Sequence, residues 1–147
     1  MIYIIGCSKN KLKKMDYAKN LYTGALFKTA YKYALKRTSE DKIFILSAKY
    51  GLIKHRELIA PYNEQIGKNE SITIDSVRAQ VKRFGILDKD VTVLAGITYT
   101  AFLANIFNKP LHLPISKLEI GDAIHYLKRG LQWLPAQEEF NFALAIE

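Results

Sequence analysis

The sequence predicts an α/β fold: a single domain over residues 1–147, with about four mainly parallel strands and helices on both faces of the sheet. Three observations lead there. The chain has 147 residues, the size of one ordinary domain. Its composition, 49% hydrophobic and 24% charged, supports one packed core and excludes a disordered chain. Short β-branched runs then alternate along it with stretches of helical period, the pattern of a parallel sheet connected through helices.

The elements follow in order. Ile2-Tyr3-Ile4-Ile5 is a buried strand ended by Gly6. Residues 7–20 are polar, rich in lysine and without period, so they read as a loop. A helix starts near Thr23 and places Phe27, Ala30, Tyr31 and Ala34 on its apolar face. Residues 42–46 (KIFIL) form the second strand, and residues 47–67, punctuated by Gly51, Pro61 and Gly67, a long loop. Asp75 is the expected N-cap of a helix to about Phe84, with Gly85 beyond its end. Residues 91–95 (VTVLA) are the third strand. Thr98 is then the expected cap of a helix carrying Tyr99, Phe102, Leu103 and Ile106 on one face. Leu111-His112-Leu113 reads as a short fourth strand before Pro114. Ile120, Ile124, Leu127 and Leu131 mark an amphipathic helix, and a last helix is expected over residues 136–145.

Charge is distributed unevenly. Lys and Arg number 22 against 14 Asp and Glu, for a net +8. Residues 1–54 hold 12 basic and 3 acidic residues, net +9, and residues 55–147 hold 10 and 11, net −1. Localised positive charge points first to a polyanion, a nucleic acid or nucleotide, as partner, with a merely soluble basic surface as the lesser reading. The lone Cys7 forbids an internal disulfide and fits a reducing compartment. No apolar run approaches the ~18 residues of a membrane span. Met1–Cys7 has neither the basic head nor the apolar length of a signal, so a cytoplasmic protein without a membrane partner is expected.

Open parallel sheets bind ligands beyond the carboxyl ends of their strands, where the strand order reverses. That rule selects residues 6–9, 47–51, 96–98 and 114–116. In the first, Cys7 stands between Gly6 and Ser8-Lys9-Asn10-Lys11, with Lys13 and Lys14 following. This positive field stabilises a thiolate. Cys7 reads either as a nucleophile or as a small buried residue. Ser8 and nearby N–H groups can hold a phosphate with Lys9 or Lys11 as counter-ion. In the second, Lys49 can reach the crevice, Tyr50 can stack on a base, and Gly51 suggests a positive φ or a close backbone approach. Tyr62, after Pro61, is a second stacking candidate. Cys7, Ser8 and Lys49 are thus the candidate catalytic residues. Lys9, Lys11, Ser47, Tyr50, Gly51, Tyr62 and Gly96 are candidate substrate contacts.

Lys28, Lys32 and Lys36 repeat every four residues without an acid between them. With Lys13 and Lys14 they are candidate nucleic-acid contacts, or a solvated face. His55 is a candidate acid or base, His112 reads as core, and no pair of histidines has metal-ligand spacing. Neither a metal nor a cofactor is expected. The chain lacks the dinucleotide and Walker patterns.

Cys7-Ser8-Lys9 with Lys11, Leu21-Tyr22-Thr23-Gly24 with Phe27, residues 46–53 (LSAKYGLI), Pro61-Tyr62 and Leu118-Glu119-Ile120-Gly121 resemble a family of small bacterial and phage proteins. That family is similar to the YaaA peroxide-stress proteins. Cys7 and Lys11 also match a Cys-x3-Lys element in the catalytic core of archaeosine synthase. Here Gly6 replaces the proline before the cysteine, and Leu12-Lys13 replaces a Pro-Tyr pair. The resemblance implies a Rossmann-like, uracil-DNA-glycosylase-like fold and a site that handles a nucleobase, and it adds Tyr22 to the substrate contacts. The expected function is nucleobase or nucleotide processing by N-glycosidic cleavage or base modification. The alternative is a DNA- or RNA-binding protein without turnover.

Overall fold

The computed structural model describes residues 1–68 and 71–145, with side chains as far as Gln132. Its centre is a four-stranded sheet in the order β4-β3-β1-β6. β1 (Ile2–Gly6) runs parallel to both β3 (Ile43–Ser47) and β6 (Val91–Leu94). β4 (Gly51–Ile53) folds back antiparallel on β3. The three parallel strands are the three apolar runs expected. Alternation along them divides the core into two layers. Tyr3, Ile5, Ile43, Ile45 and Leu94 face one layer, while Ile4, Phe44, Leu46, Val91 and Val93 face the other.

Helices cover both faces. On the first, α2 (Ala25–Leu35) and α5 (Ile120–Ala145) contribute Phe27, Ala30, Ala34, Ala123 and Leu127. On the second, α3 (Ile74–Phe84) contributes Val77 and Val81, and α4 (Ile97–Leu103) contributes Leu103. No helix among the described residues is long and apolar enough to cross a membrane.

Several expectations need correction. The fourth strand is Gly51–Ile53, inside the segment read as a loop. Residues 111–113 give only a one-residue parallel bridge between His112 and Thr92, and His112 is exposed, outside the core. A second small sheet pairs β2 (Asp16–Tyr17) with β5 (Leu58–Ile59), both within expected loops. α1 (Ala18–Leu21) lies beside it, tied down by Ala18 N–H to Glu57 O at 2.8 Å. The helix expected from Thr23 starts at Ala25 behind Gly24.

Caps differ too. Thr73, not Asp75, caps α3: its hydroxyl accepts from the Ser76 N–H at 3.1 Å while the Ser76 hydroxyl accepts from the Thr73 N–H at 3.2 Å. Asp75 lies in the first turn and pairs with Arg78 at 2.9 Å. Gly85 ends the helix with φ +71°, as expected. Gly96, not Thr98, precedes α4. The two expected C-terminal helices are one continuous helix, α5.

Candidate functional site

The connections from β1 and β6 leave toward opposite faces of the sheet, so the strand order reverses between these neighbours. A cavity of about 800 Å³ opens there, at their carboxyl ends. Gly6, Cys7, Ser8, Lys9 and Asn10 form one wall, and Leu94, Ala95, Gly96, Ile97, Thr98 and Tyr99 form another. The first turn of α2, the loop at 115–119 and the start of α5 complete it. The wall is largely apolar, with hydroxyls, lysines and one carboxylate (Glu119) set into it.

The β1 loop is held from several sides. Cys7 N–H donates to Leu46 O at 3.1 Å, continuing the parallel ladder one step past the strand. Ser8 donates its hydroxyl proton to Asn10 O at 2.6 Å and accepts from Gly24 N–H at 3.2 Å, joining the loop to the start of α2. Its hydroxyl is therefore committed to shaping the loop. Tyr99, from α4, donates to Cys7 O at 2.9 Å, and its oxygen lies 3.4 Å from Cys7 Sγ. Gly6 leaves room for this ring: a Cβ there would stand 3.2 Å from two Tyr99 ring carbons. Burial raises the Tyr99 pKa, and the neighbouring Cys7 raises it further. The phenol stays protonated and able to donate.

A second polar cluster lies outside the cavity. Tyr22 and Tyr62 are 1% and 7% exposed, and their hydroxyls are 2.7 Å apart. The fully buried Ser47 donates to Tyr62 at 2.8 Å and accepts from the Tyr50 N–H at 3.0 Å. Lys11 holds its ammonium 4.3 Å above the Tyr62 ring and donates to Lys9 O at 3.2 Å. Desolvation lowers the Lys11 pKa, against the opposing pull of Cys7 and Glu64. Lys49 points toward Glu64 at 4.0 Å and is largely exposed.

The expected site is thereby divided. Cys7, Ser8, Lys9 and Gly96 come together at the cavity. Lys49, Lys11, Ser47, Tyr22, Tyr50, Gly51 and Tyr62 do not line it. Tyr62 offers no free face for a base, because Lys11 covers it and Tyr50 meets it edge-on at 5.8 Å. Tyr22 and Ser47 are interior groups that satisfy each other through Tyr62. Tyr50 is exposed at the turn, and Gly51 has the expected positive φ, +77°. Lys13, Lys14, Lys28, Lys32 and Lys36 are all exposed. His55 lies elsewhere, with Nδ1 3.7 Å from Glu40. Among the described residues no cluster of His, Cys, Asp and Glu is placed to hold a metal ion.

Tyr99, Ser116, Lys117 and Glu119 received no role from the sequence. Position at a strand's carboxyl end was the only signal available for Ser116. Removing the hydroxyl that links the buried trio is expected to be expensive. Tyr62→Phe leaves the Ser47 and Tyr22 hydroxyls short of a partner and should cost about 2 kcal/mol in chemical denaturation. An unchanged midpoint would mean that water replaces the link.

No curated protein and no solved structure matches the chain significantly. A family profile does, over residues 2–129, which take in every strand described, α1 to α4 and the whole cavity wall. The chain belongs to DUF6884, a family of unknown function.

Proposed function

We propose that this protein binds a nucleobase or nucleotide in the β1/β6 cavity and processes it, by N-glycosidic cleavage or base modification. The observation that carries the reading is the cavity itself. About 800 Å³ at the point where the strand order reverses suits a ligand of nucleotide size. Its apolar walls suit a flat ring, and Thr98, Tyr99 and Glu119 supply polar groups to orient one. Cys7 is the candidate nucleophile on the wall, with Tyr99 as the group that holds its backbone and faces its sulfur. A uracil-DNA-glycosylase-like, Rossmann-like relationship, kinship with the YaaA-like proteins and a cytoplasmic location belong to the same proposal. The parallel β3-β1-β6 centre and the lone cysteine are in keeping with it.

One observation favours a second reading, nucleic-acid binding without turnover. Lys28, Lys32 and Lys36 are exposed along α2, whose first turn lines the cavity.

Gly96→Phe separates the two. A Cβ at Gly96 meets no atom within 4 Å, and its φ of −75° suits any residue, so the variant folds and its ring obstructs the cavity. In thermal-shift titrations with nucleobases, nucleosides, nucleotides and short oligonucleotides, one small ligand should stabilise the wild type. Gly96→Phe should abolish that shift without lowering the unliganded melting temperature. Cys7→Ser should then retain binding and lose turnover. Stabilisation by any polyanion, indifferent to Gly96→Phe and erased by moderate salt, would leave only the binding module.

A further inference from the structure

We propose that the cavity contains a phosphate subsite on the loop before α5, so that its ligand carries a phosphate and is neither a bare base nor a nucleoside. This deepens, and rests on, the nucleobase reading above.

Ser116 carries the argument. It is 6% exposed, lines the cavity, and its hydroxyl forms no hydrogen bond with any described residue. Around this enclosed residue the hydroxyl itself stays open to the cavity, with no partner among the described residues. A ligand oxygen supplies that partner. The supporting loop is firm: Ile115 is 1% exposed, and Leu118 N–H donates to Ile115 O at 3.1 Å.

The surroundings select an anion. Lys117 follows Ser116 in the chain, and Lys9 enters from the β1 loop; both line the cavity and both are exposed at its mouth. Ala25, Leu26 and Phe27, the first turn of the 11-residue α2, form another part of the wall, with no acidic residue and no side-chain cap. The positive end of that helix dipole faces the cavity. A phosphate there meets a hydroxyl donor, two ammonium groups and a helix N-terminus. Glu119 lines the same cavity and disfavours an anion beside its own carboxylate. Its carboxylate is left to accept hydrogen bonds from the sugar or base.

The same chemistry can come from a mononucleotide or from the phosphorylated end of a strand. Calorimetric titration with nucleosides, their 5′-monophosphates, inorganic phosphate, and short oligonucleotides with and without a 5′-phosphate distinguishes the two sources. The monophosphate should bind about 10-fold or more tighter than its nucleoside, as expected for charge-assisted hydrogen bonds. Lys117→Glu, at an exposed position, should erase that gap and spare nucleoside affinity. Ser116→Ala should narrow it while leaving the melting temperature unchanged, since the hydroxyl it removes bonds no described residue. A 5′-phosphorylated oligonucleotide outbinding the mononucleotide supports the subsite and identifies a strand end.

Equal affinity for nucleoside and monophosphate overturns the subsite and leaves the nucleobase reading standing. Inorganic phosphate bound through Ser116 and Lys117, with no base-containing ligand bound, retains the subsite and overturns that reading. Failure of every probe overturns both.

Discussion

Alkali is expected to unfold this protein cooperatively as the pH rises from about 10 toward 12. Five tyrosines, Tyr22, Tyr31, Tyr33, Tyr62 and Tyr99, have pKa values raised above the ordinary 10.0. Burial is the principal cause for each. It lifts Tyr22 to about 12, and it lifts Tyr33 to about 12 against the Arg37 guanidinium lying 3.3 Å over the ring. The folded state therefore keeps its phenolic protons where the unfolded chain releases them. The resulting stability is fully present below pH 10 and is lost as the pH rises through the folded-state values. A shift of that size at the enclosed Tyr22 alone is on the order of 3 kcal/mol, a large fraction of the stability of a small domain. Phenolate absorbance and circular dichroism followed together test this. Their main transitions should coincide. Complete phenolate formation near pH 10 with unchanged dichroism would show that these hydroxyls are open to solvent.

Gly51→Ala should lower stability by about 3 kcal/mol, from two separate effects. The residue has φ +77°, where a side chain costs about 1–2 kcal/mol. A Cβ would also collide with the Gln80 carboxamide. That group accepts from Leu52 N–H at 2.8 Å and donates to Tyr50 O at 3.0 Å, fastening β4 to α3. Displacing it adds about 1 kcal/mol for each hydrogen bond lost. The melting temperature should fall by roughly 10 °C, given about 2–4 °C per kcal/mol for a chain near this size. In the cycle with Gln80→Ala, the double variant should lose less than the sum of the singles, because the collision occurs only when both groups are present. Strict additivity would restrict the penalty to the backbone.

The β3–β4 turn shows why the fourth strand was not legible. β4 is three residues long, too short to establish a period, and its conformation depends on Gln80 from a helix nearly thirty residues later. The 111–113 segment shows the converse error. Leu111-His112-Leu113 alternates as a strand does, yet only His112 reaches the sheet, through hydrogen bonds to Val91 and Val93 at 2.9 Å. Alternation records local preference, and the ladder depends on what the neighbouring backbone offers.

The candidate site was legible to a similar depth. Cys7, Ser8, Lys9 and Gly96 could be selected because each follows a parallel strand at its carboxyl end. Lys49 follows one as well and still misses the cavity, because β4 turns its loop toward Glu64. The tyrosines were beyond the reach of pattern alone. Tyr22, Tyr50 and Tyr62 are equally aromatic in sequence, but burial pairs the hydroxyls of two and leaves the third at the surface.

The three parallel strands and the loops at their carboxyl ends are written in residues 2–5, 42–46 and 91–95, because β-branched runs and the stops that follow them act over a few residues. Which of those loops share a cavity is set by long-range packing. β1 and β6 are neighbours although Cys7 and Tyr99 stand 92 residues apart in the chain. That adjacency arises from strand order and from the packing of helices on opposite faces. It places Tyr99 against Cys7, sets Ser116 and Glu119 on the wall of the same cavity, and leaves Lys49 outside. Local residue preferences do not encode a meeting of that kind; it follows from burying two apolar faces of one sheet at once.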